Sequence, residues 1–229
     1  MPSLTVENYC KTIFQLTTRS DSQWVTTGRL AEAMSLTPGT VTSMLKTLSE
    51  SDLAEYRPYE GVRLNRSGRT LALRMLRRHR LIELFLVRTL GLTWDEVHDE
   101  AENMEHAVSD SLVDRIDEYL GRPESDPHGD PIPRADGTMR GSDRTRIPLT
   151  ECHRGQSVRL VQVLQQGPEF LRYLSDAGLE IGGIGRVESN DPHAGVVQLD
   201  LGGRYIPIGR PAAEQLLVEL CASEAANST

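Results

Sequence analysis

Residues 95–106 of the chain read DEVHDEAENMEH, with six acidic side chains and two histidines in twelve positions. On a helix, His98, Glu102, Glu105 and His106 are spaced by four, three and one, so they share one broad face. Carboxylates and imidazoles crowded into one turn repel each other or compete for protons until a cation joins them. Nitrogen and oxygen donors without thiolate suit Mn, Fe, Co, Ni or Zn and disfavour a structural cysteine-type zinc site. His79 and Glu83 form a second i, i+4 pair on the preceding helix. Antiparallel packing would turn the two sets toward each other or toward the N-terminal helix. The plain alternative is a solvated acidic face, the ordinary meaning of a charge run. Asp95, Glu96, Asp99 and Glu100 fit that description, with Val97, Ala101 and Met104 on other faces. Cys10 reads as a small buried apolar residue rather than a ligand.

A second chemistry lies in residues 25–64, VTTGRLAEAMSLTPGTVTSMLKTLSESDLAEYRPYEGVRL. Leu30, Ala31 and Met34 form the apolar side of a short helix, and SLTP makes a turn. Val41, Met44, Leu45 and Leu48 face inward on a second helix. That leaves Thr37, Pro38, Thr40, Thr42, Ser43, Lys46 and Thr47 on or near its exposed side. This is a helix-turn-helix whose second helix presents short hydroxyl side chains near its N-terminus, where base edges are met. The following AEYRPYEGVRL reads as a hairpin turning at Tyr59-Glu60-Gly61. Arg57 and Arg63 flank it as phosphate contacts of a wing.

The elements that must hold these groups follow from periodicity. Tyr9, Ile13, Phe14 and Leu16 predict an N-terminal helix. Short helices are expected over 28–34 and 38–50, a long one over 68–90, and one or two over 94–120 with Ser109 as a cap. The stretch 121–148, dense in Gly, Pro, Asp and Ser, reads as a linker or surface loop that buries no core. Beyond it the period changes. SVRLVQVL at 157–164 alternates, a short helix opens on Pro168, and 184–188, 196–201 and 205–208 read as strands between Gly-rich turns. This C-terminal part is expected to be small and barrel-like.

Composition sets outer limits. The 229 residues carry a net charge of −8, which looks wrong for a DNA binder. Its distribution matters more. Residues 1–75 hold nine Lys/Arg against seven Asp/Glu, and the remainder 16 against 26. Only the front of the chain is suited to meet phosphate. No apolar stretch approaches bilayer length, and MPSLTVENYCK lacks the basic and apolar regions of a secretory signal. Three widely spaced cysteines, Cys10, Cys152 and Cys221, argue for a reducing cytoplasm rather than a disulfide framework.

Taken together, these residues closely resemble the DtxR/MntR family of metal-dependent regulators. The resemblance runs through ENYCKTIFQL, TPGTVTSMLKTL, LNRSGRTLALRMLRRHRLIELFL, WDEVHDEAENMEH and DPHGDPIP, before an SH3-like (FeoA-like) final domain. It implies a homodimer with an interface from roughly residue 75 to 120, in which metal orients two winged helices to fit a palindromic operator. It also implies two metal sites. A primary site would use Glu102, Glu105 and His106 with a first-helix ligand, Asn8 or Glu7. An ancillary site would use His79, Glu83 and His98, sometimes completed by Gln166 and Glu169. Glu102 stands where the iron-sensing branch has cysteine and the manganese-sensing branch a carboxylate. The harder oxygen ligand favours Mn(II), with Fe(II) compatible and Co, Ni or Zn as substitutes. Lys11 stands where the manganese branch can place a carboxylate for a paired-metal site, and so argues for a separate ancillary site.

The expected fold is mainly α with a small β domain. A winged helix-turn-helix spans 1–74, a helical metal-binding and dimerisation domain with a Pro/Gly-rich linker 75–146, and an SH3-like β-barrel 147–229. The expected function is a metal-activated repressor of metal-ion homeostasis, cytoplasmic, with partners in double-stranded DNA, a second copy of itself and a divalent metal, and with no membrane. Two alternatives stand beside it. One is a metal-independent winged-helix regulator, because Asn8 brings no charge to the primary site. The other is a metalloenzyme, although neither H-E-x-x-H nor G-x-S-x-G is present.

Overall fold

The computed structural model describes residues 3–18, 20, 22–141 and 145–221. The chain divides into two compact units. The first comprises residues 1–82, 101–119 and 132–139, and the second 83–100, 120–131 and 140–229.

In the first unit, α1 (Leu4–Thr18) buries Tyr9, Cys10, Ile13 and Phe14. The helical spacing of these residues puts them on one side, against the winged helix. Next come α2 (Thr27–Ala33) and α3 (Pro38–Glu50). Each starts where a threonine hydroxyl accepts from a free backbone N–H, Thr26 from Arg29 and Thr37 from Thr40. Proline at the first turn of α3 loses no bond there. Leu30, Val41, Leu45, Leu48 and Val62 close the core.

The wing is the antiparallel pair β1 (Ala54–Arg57) and β2 (Gly61–Leu64), registered Ala54 to Leu64 and Arg57 to Gly61. Gly61 has φ of +127°, and a Cβ there would lie 2.2 Å from the Val25 carbonyl oxygen. Val25 exchanges backbone hydrogen bonds with Val62 at 2.9 Å in both directions, so the wing is tied to the strand-like segment before α2.

Helix α4 (Arg66–Phe85) starts close to the expected position but passes into a wider π-type turn at Leu86–Leu90, ended by Gly91 in the left-handed region. The expected 94–120 helix is two helices, α5 (Val97–Met104) and α6 (Asp110–Tyr119). Ser109 caps α6, its hydroxyl accepting from Leu112 N–H at 3.2 Å. Arginines of α4 pair with aspartates of α6: Arg78 with Asp110 at 2.8 Å, and Arg77 with Asp114 at 2.8 Å and Asp117 at 2.9 Å. These pairs hold α4 against α6.

The second unit is built on a six-stranded antiparallel sheet in the order β3 (Ile147–Pro148), β8 (Leu216–Leu220), β4 (Ser157–Val163), β5 (Ile184–Asp191), β6 (Val196–Asp200), β7 (Tyr205–Gly209). Helices α7 (Pro168–Ala177) and α8 (Arg210–Ala213) accompany it. Alternate residues Val158, Leu160, Val187, Val197, Ile208 and Val218 share its core with Leu171 and Leu174 of α7. The expected barrel is an open sheet, with β3 and β7 at its edges. Register shifts at Leu160/Gln162 and Val187/Ser189 bend the strands, but a two-residue β3 offers too little backbone to close the ladder.

The 121–148 stretch departs most from expectation. Residues 142–144 lie outside the described residues, but the stretch before them is buried in part. Asp126, His128, Asp130, Ile132 and Arg140 are buried. Within the second unit, Ser125 bridges to Pro131, and within the first, Pro133 bridges to Met139. Proline and glycine here mark tight turns rather than absence of structure, because Asp126 supplies the hydrogen bonds that a helix or strand otherwise would. Its Oδ1 accepts from His128 N–H at 2.8 Å and Asp130 N–H at 2.9 Å.

Candidate metal centre and nucleic-acid interface

In the first unit, three helices converge on one polar cluster. Helix α1 brings Glu7, Asn8 and Lys11, and α4 brings His79. Helix α5 and its end bring Glu102, Glu105 and His106. The ammonium of Lys11, 5% exposed, donates to Glu102 Oε1 at 2.5 Å and to Glu105 Oε1 at 2.7 Å. The second oxygen of Glu105 lies 2.7 Å from His79 Nδ1. Burial alone would push the Glu105 carboxyl up, but its bond to His79 and the charge and bond of Lys11 outweigh burial and hold it below the ordinary value. His106 Nδ1 sits 2.8 Å from Glu7 Oε2, and its Nε2 3.5 Å from Glu105 Oε1. Two buried atoms of the cluster, Asn8 Oδ1 and His106 Nε2, lack a hydrogen-bond partner.

The donor set fits a divalent cation. His79, Glu102 and Glu105 each offer a ligand atom within 4.8 Å of the others. Two further buried donors stand without partners, a state that costs free energy until something meets them. The ammonium of Lys11 bridges two of these carboxylates, Glu102 and Glu105. Beside the cluster, Cys10 is fully buried, and burial followed by the charge of Glu7 pushes its thiol up to about 12. A thiol so shifted is an apolar packing group, as the sequence suggested.

Of the residues expected for the ancillary site, His79 belongs to the first unit and Glu83, His98, Gln166 and Glu169 to the second. His79 lies with Glu102 and Glu105. In the second unit, Glu83 Oε1 faces His98 Nδ1 at 3.4 Å. Gln166 is hydrogen-bonded to Asp130 and to the Val163 carbonyl, each at 3.3 Å. Glu169 is exposed in the first turn of α7 and belongs to none of the metal-capable groups found among the described residues. A further group, Glu83, Asp126 and His128, is fully buried. Its aspartate and histidine fall in the segment read as a linker; the signal available was Asp-x-His-Gly, an aspartate turn that aims a histidine.

On the helix-turn-helix, Val41, Leu45 and Leu48 are buried and Met44 half-buried. Thr37, Pro38, Thr40, Ser43 and Lys46 are exposed, and Thr42 is half-buried. The α3 hydroxyls are partly engaged at home, Thr37 with Thr40 at 2.9 Å and Thr42 with the Pro38 carbonyl at 2.8 Å. In the wing, Arg57 and Arg63 flank the same carboxylate, Glu55, each at 2.7 Å. Both guanidinium groups also lie over the Trp24 ring, at 4.8 and 5.0 Å from its centre. The sequence placed both arginines on the hairpin but did not reveal that Glu55 and Trp24 hold them as a set.

A winged helix whose leading helix enters a carboxylate–imidazole cluster defines a class, DNA-binding regulators that can couple a cation to the geometry of their DNA-reading part. The comparisons narrow it. Residues 1–62 match the family model of the iron-dependent repressor N-terminal DNA-binding domain, residues 65–134 that of the iron-dependent repressor metal-binding and dimerisation domain, and residues 147–220 that of the FeoA domain. The chain belongs to the iron-dependent repressor family, the DtxR/IdeR/MntR-type metal-activated transcriptional repressors, which are not enzymes.

Among curated relatives, the diphtheria toxin repressor of Corynebacterium glutamicum is 32% identical over 78% of this chain and 81% of its own length. The iron-dependent repressor IdeR of Mycobacterium tuberculosis is 30% identical over 94% and 96%. Among solved structures, a manganese-dependent transcriptional repressor in complex with manganese is 38% identical with a TM-score of 0.85, covering 94% of this chain and all of that one. ScaR with bound Zn2+ is 33% identical with a TM-score of 0.75, covering 95% and 99%. None of the helices among the described residues is long and apolar enough to cross a membrane.

Proposed function

We propose that this repressor favours Mn(II), with Fe(II) compatible, and that Lys11 serves as the resident cation of the metal-free state. The observation that carries this reading is the Lys11 ammonium bonded to both Glu102 and Glu105 beside two unpartnered donors, Asn8 Oδ1 and His106 Nε2. Glu102, Glu105, His106 and Asn8 would hold the metal, and Glu7 would orient His106 through its Nδ1. The bound ion supplies a second positive charge and a directional set of bonds that an ammonium lacks. Lys11 must then withdraw from the carboxylates, which re-seats α1 against α5. Because α1 is also packed into the winged-helix core, the position of the DNA-reading helix changes with it. The cation shifts that equilibrium only by its differential affinity for the two arrangements, typically about 1–3 kcal/mol.

In this reading the functional segments are 1–74, 75–146 and 147–229, and Glu83 with His98 forms the core of the ancillary site. The protein acts as a cytoplasmic homodimer on a palindromic operator, with α3 in the major groove presenting Thr37, Pro38, Thr40, Thr42, Ser43 and Lys46. Arg57 and Arg63 meet phosphate. A gel shift titrated with Mn(II), Fe(II) and chelator tests it. Metal-dependent retardation, strongest with Mn(II), is expected, and equal DNA binding with and without metal would sink it. The Lys11 pairs also favour a second reading, a metal-independent regulator whose acidic cluster is permanently neutralised. That reading requires that Mn(II) leave the unfolding temperature unchanged.

A further inference from the structure

We propose that an arginine-rich hollow lined by α4, α6 and the turn at 134–137, all in the first unit, binds a compact polyphosphate, either inorganic or the phosphate chain of a nucleotide. The hollow has a volume of about 430 Å3, within the range of small-ligand sites, roughly 300–1,000 Å3. Arg66, Arg69, Arg74, Arg77 and Arg78 recur at helical spacing along one broad side of α4, and Arg134 joins them from the turn. Asp110, Asp114 and Asp136 share the lining, so six guanidinium groups meet three carboxylates, an excess of three positive charges. In a chain whose net charge is −8, such a gathering runs against the overall balance.

The excess is not absorbed locally. Arg74 and Arg78 share one carboxylate, Asp110, at 2.7 and 2.8 Å. Arg77 reaches Asp114 and Asp117 from Nη2, at 2.8 and 2.9 Å. It is 8% exposed, and its Nε is buried without a hydrogen-bond partner, a state that costs free energy. Arg66, Arg69 and Arg134 make no ion pair among the described residues. Arg69 lies over the Phe14 ring at 5.2 Å, and Arg134 donates to the Thr138 hydroxyl at 3.4 Å and the Met139 carbonyl at 3.2 Å. Asp136 is turned to its own loop, its Oδ1 accepting from the Thr138 N–H at 2.8 Å and hydroxyl at 2.7 Å. The turn is also fixed by its backbone. Arg134 N–H donates to the Thr138 carbonyl at 2.8 Å, and Gly137, at φ of +83°, donates to the Arg134 carbonyl at 2.9 Å.

A concave site lined mainly by one sign of charge concentrates its potential, and planar guanidinium forks meet phosphate oxygens two at a time. One phosphate group carries only about two charges at neutral pH and leaves the excess unmatched, whereas a linked chain of phosphates matches it. A slim chain also enters a hollow more fully than a duplex, whose phosphates meet only the rim. The inference holds whether or not Lys11 yields to a metal. Metal-free full-length protein is titrated with inorganic triphosphate, ATP and orthophosphate by calorimetry, and amide exchange is mapped with and without triphosphate. One triphosphate per chain, weaker orthophosphate binding, and slower exchange in 66–78 and 134–137 are expected. ATP equal to triphosphate assigns the site to the phosphate chain, and tighter ATP binding assigns it to a nucleotide. Arg66→Gln combined with Arg134→Gln, both at exposed positions, should weaken triphosphate binding about tenfold or more, the size of at least one lost charge-assisted bond. Arg154→Gln combined with Arg159→Gln removes the same charge from the exposed surface of the second unit and should leave binding unchanged. Anisotropy with duplex DNA should give the same affinity for the Arg66 and Arg134 double variant as for the parent. The proposal is overturned if neither triphosphate nor ATP binds, if both double variants weaken binding equally, or if the Arg66 and Arg134 pair loses DNA affinity while keeping triphosphate. If a variant fails to fold, the exchange map of the parent decides, and an absence of protection in 66–78 and 134–137 overturns it.

Discussion

The residue that most changes the picture is Lys11. A lysine in the first helix is ordinary, and only its burial between Glu102 and Glu105 makes it a competitor for a metal. Lys11→Met is expected to tighten Mn(II) binding about tenfold or more, the equivalent of at least about 1.4 kcal/mol, because no ion pair need then be broken. Isothermal calorimetry against the parent protein checks this, and an unchanged affinity would remove Lys11 from the mechanism. The same substitution should destabilise the metal-free protein by about 3 kcal/mol, since it leaves two carboxylates facing each other, one of them fully buried. Glu105 makes a related prediction for pH. Its carboxyl is held below the ordinary glutamate value of 4.5 in the folded state. Its stabilising contribution is thus complete above that value and is lost as pH falls through the depressed one. Denaturant midpoints of the metal-free protein should therefore fall below about pH 4.5, and Glu105→Gln should flatten that part of the profile.

At the scale of elements, the wing carries two expectations. Glu55 accepts from both Arg57 and Arg63, which reduces the charge those arginines offer to phosphate. Glu55→Gln should raise DNA affinity several-fold and steepen its dependence on salt, because released counterions scale with the phosphates neutralised. Fluorescence anisotropy across a salt series reads both, and a slope no steeper than that of the parent would mean that the arginines do not reach the backbone. Gly61→Ala should destabilise the first unit by about 1–3 kcal/mol from strain at a positive φ, with the contact to Val25 adding to it, and should lower DNA affinity by loosening the wing. Chemical denaturation and the same anisotropy assay measure the two effects. Both elements of the helix-turn-helix and the hairpin were legible in the chain because their signals are local, namely threonine caps, a first-turn proline and alternation around a glycine. The Asp126–Arg140 segment was not, because turn-forming residues look alike whether the turn is solvated or buried. What buries this one is contact with residues far away in sequence, such as Val163 on His128.

At the scale of the whole molecule, the charge is divided along the chain. The first 75 residues hold a small excess of cationic groups while the remainder is strongly acidic. DNA is therefore expected to engage only the N-terminal part, and the acidic remainder is better suited to cations. A metal that binds only the folded state must raise its apparent stability. At about a hundredfold excess over its dissociation constant, Mn(II) should add about 2.7 kcal/mol, read as a rise of roughly 5 °C or more in a thermal melt. A flat response would favour the permanently neutralised cluster.

The sequence by itself determined the class of protein, the helix-turn-helix and wing, the presence of a carboxylate–imidazole face on α5, and the small β-rich end. Each of these is written in the spacing of neighbouring residues, which sets what a single helix or strand presents. It also singled out Glu102, Glu105 and His106, which helical spacing places close together. Only the tertiary structure decided what those groups face. It put Lys11 among the carboxylates, set His79 against Glu105, left Gln166 bonded to Asp130, and turned a stretch read as linker into the buried support of His128. These are contacts between residues 26 to 94 positions apart. No periodicity records them, because they arise from how whole elements pack, and a buried charge takes whichever partner that packing brings within reach.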